Sequence, residues 1–241
     1  MSIPLIAAAA LLAAPPHTTL TASPAHLTLT PGTRRLVHIE AAGTRRLGVD
    51  ARVAGFALDV RGRPRIVRVD GAASLLSLAP RSLSVGGAGA TLTVTASRSP
   101  HAGAGDHPAI ILLTATAPGA RGVLVRMRIG LVVSVRVPGA LVHRVLVRGA
   151  RVFRRGKHRR IDVALANRGN VTEHVDQAAL RVVLVARGKV VAVLRPVRRD
   201  LLPRSSGLVA IPCPRAVRGA VIATVELRRS PRAVKRFHLR L

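Results

Sequence analysis

The chain has 241 residues, 49% of them hydrophobic, with a mean hydropathy of +0.33; that is enough apolar content for a folded core and excludes disorder over most of its length. Lys+Arg 39 against Asp+Glu 10 gives a net charge of +29, nearly all of it from arginine, because the lysines are Lys157, Lys189 and Lys235 alone. A single cysteine, Cys213, excludes an intramolecular disulfide and a thiolate metal cluster, and the absence of Trp and Tyr, with the three Phe in apolar segments, leaves almost nothing on which bases or sugars could stack.

Residues 3–14 form an apolar run interrupted only by Pro4, and the first charged residue is Arg34. This is the length of a secretory signal core and too short for a stable membrane span. Residues 1–25 therefore read as a signal peptide, with cleavage expected after Ala22 or Ala25. No later segment is long and uncharged enough to anchor the chain, so no integral membrane span is expected in the mature protein.

Beyond this segment the apolar residues alternate with period two and are rich in β-branched types, which predicts strands throughout and an all-β fold. The runs are Leu27/Leu29, Val37/Ile39, Val49/Ala51/Val53, Phe56/Leu58/Val60, Leu92/Val94/Ala96 and Ile110/Leu112, divided by turn signals such as Pro31-Gly32 and Gly86-Gly87. The longest run is 123–137. There Val123, Val125, Met127, Ile129, Leu131, Val133, Val135 and Val137 share one face, with Arg126, Arg128, Ser134 and Arg136 on the other. At about 3.3 Å per residue it would span roughly 50 Å, which predicts a bend, with Gly130 as its place. Pro138-Gly139 closes the run, and a second set of alternating runs extends from Val145/Val147 to Phe237/Leu239/Leu241. Each set is a sandwich's worth of strands, giving domains at 26–138 and 139–241 with a short connection at 138–142.

Local chemistry is sparse. There is no G-x-S-x-G, H-E-x-x-H, Walker loop or C-x-x-C, and few acids from which to build an active site, so no enzyme activity, cofactor or metal is expected. His101, Asp106 and His107 share one loop but lack a third or fourth partner for a metal. Gly86-Gly87-Ala88-Gly89-Ala90 opens no helix that could hold a phosphate and reads as a flexible hairpin or loop. Cys213, in Pro-Cys-Pro, reads as a small buried residue, and the three phenylalanines, Phe56, Phe153 and Phe237, read as core. Asn170-Val171-Thr172 fits a glycosylation pattern, although a turn after a strand explains Asn170 as well. The densest charge is Arg151, Arg154, Arg155, Lys157, Arg159 and Arg160 around Gly156, which predicts a hairpin tip carrying an anion-binding patch. An arginine-rich codon bias would leave the same cluster with no ligand at all.

Three stretches stand out: Leu27-Thr28-Leu29-Thr30-Pro31-Gly32, the passage from Gly105 through Val125-Arg126-Met127-Arg128-Ile129-Gly130 to Val137-Pro138-Gly139, and Leu165-Ala166-Asn167-Arg168-Gly169-Asn170 together with Leu201-Leu202-Pro203-Arg204-Ser205-Ser206. In these the chain resembles exported tandem immunoglobulin-like surface proteins of the WxL-interacting type, and related actinobacterial secreted proteins. The resemblance implies two immunoglobulin-like β-sandwich domains in tandem, peptidoglycan binding by the first and contact with another surface protein by the second. The chain departs from the family in lacking its aromatic residues and its C-terminal membrane helix.

The expectation is a secreted or wall-associated, non-enzymatic protein whose partner is an anionic cell-envelope polymer or a surface protein. The alternative is a periplasmic-chaperone-like protein that binds clients by strand addition through the long run at 123–137. Nucleic acid ranks last, because it requires the signal segment not to function.

Overall fold

The computed structural model describes residues 18–43, 46–68, 71–118, 124–156, 158–228 and 233–241; the apolar run at 3–14 lies outside them. Within the described residues the period-two pattern becomes strands, because alternate side chains fall on one face and the apolar face must be covered.

One sheet of the first sandwich is ordered β1 (Thr19–Ser23), β3 (Arg34–Ala42), β8 (Ala90–Ala96), β6 (Leu76–Ala79). The facing sheet is ordered β2 (His26–Leu29), β10 (Leu124–Val137), β9 (Gly105–Pro118), β4 (Leu47–Leu58), β5 (Pro64–Val67), and β7 (Ser82–Val85) also pairs with β4. A single turn of helix, α1 (Gly71–Ser74), precedes β6. Val37, Ile39, Leu92 and Val94 from the first sheet meet Val49, Ile111, Leu113, Leu131, Val133 and Val135 from the second. Each fully buried aliphatic of this kind contributes about 1.5–3 kcal/mol.

The second sandwich packs β11 (Val145–Arg155), β12 (His158–Asn167) and β17 (Ser206–Pro212) against β15 (Lys189–Leu194), β14 (Leu180–Ala186), β18 (Ala220–Leu227) and β19 (Ala233–Arg240). A small ladder of β13 (Glu173–Val175) and β16 (Arg199–Leu201) lies beside them. Ile161, Val163, Leu165, Val209 and Ile211 face Leu180, Val182, Leu184, Ala223 and Val225. The chain is thus all-β, two immunoglobulin-like sandwiches in tandem, and among the described residues no helix is long and apolar enough to cross a membrane.

Several local expectations change. β1 lies inside the segment read as signal: Thr19–Ser23 pairs antiparallel with β3 and Leu20 is buried in the first core, so cleavage after Ala22 or Ala25 would remove an edge strand. The long strand passes through Gly130 without a bulge, in register with β9 from Leu124 to Val137. Gly130 makes room for a neighbour instead, since a Cβ there would lie 2.7 Å from Cδ1 of Ile110. The Gly86–Ala90 loop leads from β7 in one sheet to β8 in the other, so it is a corner between sheets and no hairpin. Of the phenylalanines, Phe56 is buried between the two sandwiches, while Phe153 and Phe237 are half-buried.

Candidate functional site

The first notable feature is an open edge. β9 covers one side of β10 over its whole length, and β2 covers the other side, in parallel, only at residues 132–135. Among the described residues no strand pairs with that second side at residues 124–131. Unpaired backbone N–H and C=O groups along a strand are a template for another strand. The core-facing row there is Val125, Met127, Ile129 and Leu131, passing from exposed through half-buried to buried. On the opposite row Arg126 and Arg128 are exposed, and Leu124 at the tip is 72% exposed. Long natural edges are usually shortened or bulged away, whereas this one is paired with β9 without a bulge, apolar on one face and cationic on the other.

The inner end of that edge opens into a cleft between the sandwiches. Its floor is the outer face of the β2–β10–β9–β4 sheet, and its far wall comes from β13, β16 and the segment before β16. The cavity holds about 730 Å³, with His26, Phe56, Val132 and Arg136 on one side and His174 and Arg198 on the other. His174 is tied through Nδ1 to Asp200 at 2.6 Å, and Arg198 lies within 3.7 Å of the same carboxylate. Leu202 packs across the cleft onto Ala54, Phe56, Ile110 and Leu112, which explains why the second half of β4 buries the opposite face from its first half.

The two sandwiches are braced at two separated places. At the connection, the Asp106 carboxylate accepts from Arg136 Nε at 2.7 Å and Nη2 at 3.0 Å, and from the backbone N–H of Thr172 in the second sandwich at 2.8 Å. Burial pushes that carboxyl up, but the Arg136 and Thr172 hydrogen bonds outweigh it and hold it below the usual carboxylate range. Asn170 completes this brace. Its Nδ2 donates to the carbonyls of Ala104 and Ala140, its Oδ1 accepts from Val142 N–H, and its own carbonyl accepts from Asp106 N–H. Buried Asn167 holds the turn in place, donating to the carbonyls of Val171, Leu201 and Leu202 and accepting from Gly169 N–H.

The second brace is the turn between β4 and β5. Asp59 caps it, accepting from the N–H groups of Arg61 and Arg63 and from Arg63 Nε. The Arg63 backbone N–H and then its guanidinium hold the Asp59 carboxyl at about 2. From the second sandwich Arg199 Nη2 donates to the carbonyls of Asp59 and Val60, and Leu208 N–H donates to Val60 at 2.7 Å. Gly62 is required there twice over: its φ is +83°, and a Cβ would overlap the Arg199 guanidinium.

The residues singled out from the sequence fall in three places. Arg151, Arg154, Arg155, Arg159 and Arg160 lie on the β11–β12 hairpin around Gly156, and Lys157 at its tip lies outside the described residues. Two of these arginines already have internal work: Arg159 donates to the carbonyls of Pro214 and Arg215, and Arg160 pairs with Asp162 while stacking 4.2 Å from the Phe153 ring centre. Arg154 reaches the carbonyl of Arg240. Asp106 and His107 separate, one into the brace and the other to the Gly103 carbonyl; among the described residues no group of three His, Cys, Asp or Glu could hold a metal. Cys213 is buried in the second core, where burial pushes its thiol up. The residues that sequence reasoning missed as partners are two pairs, Asp106 with Asn170 and Gly62 with Arg199, each of which meets only after both sandwiches have folded. The one signal was the scarcity of acids, which makes a buried Asp a matter for explanation.

No family model matches the chain, and no curated protein matches it. Solved structures do. A chain from the structure titled "Chaperone-tip adhesin complex is vital for synergistic activation of CFA/I fimbriae biogenesis" matches at a TM-score of 0.54 and 10% identity, over 90% of this chain and 98% of that one. The class 5 fimbriae chaperone CfaA matches at 0.51 and 11%, again over 90% and 98%. At such identity the likeness is one of fold, and it extends over both sandwiches in their tandem arrangement.

Proposed function

We propose that this protein is a non-enzymatic binding protein of the chaperone-like kind, which holds an extended segment of a partner protein against the free edge of β10. The observation that supports it is the long, unbulged open edge at 124–131, apolar on alternate residues, in a fold similar to that of a fimbriae chaperone. Strand addition needs no catalytic group, cofactor or metal; backbone hydrogen bonds supply affinity and the alternate side chains supply selectivity. The partner is then an exported or surface protein, and the protein itself works outside the cytoplasm. With Leu20 in the core, processing of the signal segment falls ahead of Thr19.

Wall binding through the hairpin cluster is the second reading, carried by the exposure of Arg151 and Arg154. The two separate in one experiment. Tagged full-length protein is recovered from the envelope of the native organism as wild type, as Val125→Asp with Ile129→Asp, and as Arg151→Ala with Arg154→Ala. Loss of a co-purified protein only in the β10 variant supports strand addition. Retention there, with loss of wall material in the hairpin variant, supports wall binding. Mass spectrometry of the recovered N-terminus checks the processing site.

A further inference from the structure

The open edge also specifies charge, and this step rests on the strand-adding reading above. Arg126 and Arg128 lie two residues apart on the outer face of β10, both exposed, and no ion pair joins either to another described residue. Within their own sheet their cross-strand neighbours on β9 are Thr116 and Thr114, which are neutral. The nearest acid on that row is Asp50, one strand further on at the partner position of Thr114, where it already accepts from the Ser82 hydroxyl at 2.7 Å. The sheet therefore does not neutralise the two guanidiniums from the β9 side. The vacant position on their other flank is the one a docked strand would occupy, with cross-strand Cβ atoms about 5 Å apart.

We infer that the segment recognised by β10 is acidic on one face: an extended stretch with Asp or Glu at two alternate positions opposite Arg126 and Arg128, and apolar residues between them opposite the Val125, Met127 and Ile129 row. A second copy of this chain is a poor occupant of the same edge. Pairing β10 with β10 brings the two arginine rows together, within a molecule of net charge +29, and like charges directly across a ladder repel. The specificity lies in the row of two cations; Leu124 and Val125 supply contact area to any apolar strand.

The test uses the full chain and three short peptides, acetylated and amidated so that their ends carry no charge: valine alternating with glutamate, with serine, or with lysine. Affinity is measured by titration calorimetry at low and at high salt, and the binding site by hydrogen exchange at residues 124–131. The expected result is that the glutamate peptide protects that edge and binds about tenfold tighter than the serine peptide, from two cross-strand charge pairs. The preference disappears in Arg126→Ser with Arg128→Ser, and Arg126→Glu with Arg128→Glu prefers the lysine peptide. That reversal cannot come from misfolding. Equal binding of glutamate and serine peptides to a protected edge would overturn the charge rule and leave strand addition standing. A glutamate preference that survives the double serine variant would also overturn it, assigning the effect to net charge. Absence of protection at 124–131 with every peptide would remove the strand-adding reading and this inference with it.

Discussion

The two halves of β10 have one sequence pattern and two fates. Residues 132–135 run beside β2 and place Val133 and Val135 in the core, with Leu131 buried just ahead of them, while residues 124–129 continue the alternation with Val125 exposed and Met127 and Ile129 half-buried, and among the described residues no strand lies alongside. The side chains are of the same kind in both halves; the neighbour differs. An apolar row joins the core where a second strand closes it and is left open to another strand where none does, and periodicity alone does not distinguish them.

That comparison is broken most severely where the row enters the core. Leu131→Ala removes a fully buried side chain and should cost about 3 kcal/mol, lowering the midpoint of chemical denaturation. If Ile129→Ala costs as much, the open half is core after all and the distinction fails. The next largest effect belongs to the brace. Asp106→Asn leaves Arg136 without its anion and should cost about 2 kcal/mol, measured by chemical denaturation.

The same residue sets a pH dependence. The folded Asp106 carboxyl titrates below its unfolded counterpart, near 3.9, so its contribution is complete above about pH 4 and is lost as pH falls through the folded value. Wild-type stability should drop over that window and the Asn variant should show a flatter profile there. Gly62→Ala, at the opposite brace, should cost about 1–2 kcal/mol from its positive φ and the displaced Arg199, measured by thermal unfolding. Smallest of all, Val125→Ser should change stability by less than about 0.5 kcal/mol while abolishing partner recovery, a separation expected of a recognition residue and of no core residue.

Much of the fold was legible from the chain itself. Alternation placed Val125, Met127, Ile129, Leu131, Val133 and Val135 on one face of a long strand, and that strand is where the candidate site lies. The position of its open stretch was hidden, because it depends on where β2 stops, a pairing between residues about a hundred positions apart. Gly130 suggested a bend for the same reason: its counterpart, Ile110, lies on another strand, and a packing role for glycine leaves no mark in its own neighbourhood. Asp106, beside His101 and His107, resembled a weak metal loop. Its true partners, Arg136 and Thr172, come from 30 and 66 residues away. The arginine cluster at the hairpin was the most visible local signal, and within it Arg159 and Arg160 also have internal partners, one donating to carbonyls and the other pairing with Asp162. The resemblance to wall proteins rested on turn motifs, and two of these, at Asn167 and at Leu201-Leu202, are bonded to each other; they report how a sandwich closes, which many binding proteins share.

Fastening at two points turns a joint into a bracket. With Asp106 and Asn170 at one end and Arg199 and Gly62 at the other, rotation about the connector would have to break both sets of bonds together. On the proposed reading, a partner arriving at β10 meets a second sandwich already standing at its final angle, and no interdomain freedom is lost when the complex forms. The entropy of holding that geometry is taken up once, during folding, and the surface offered to each later partner is already set. Weakening either fastening should therefore lower affinity for the partner even with the edge itself untouched.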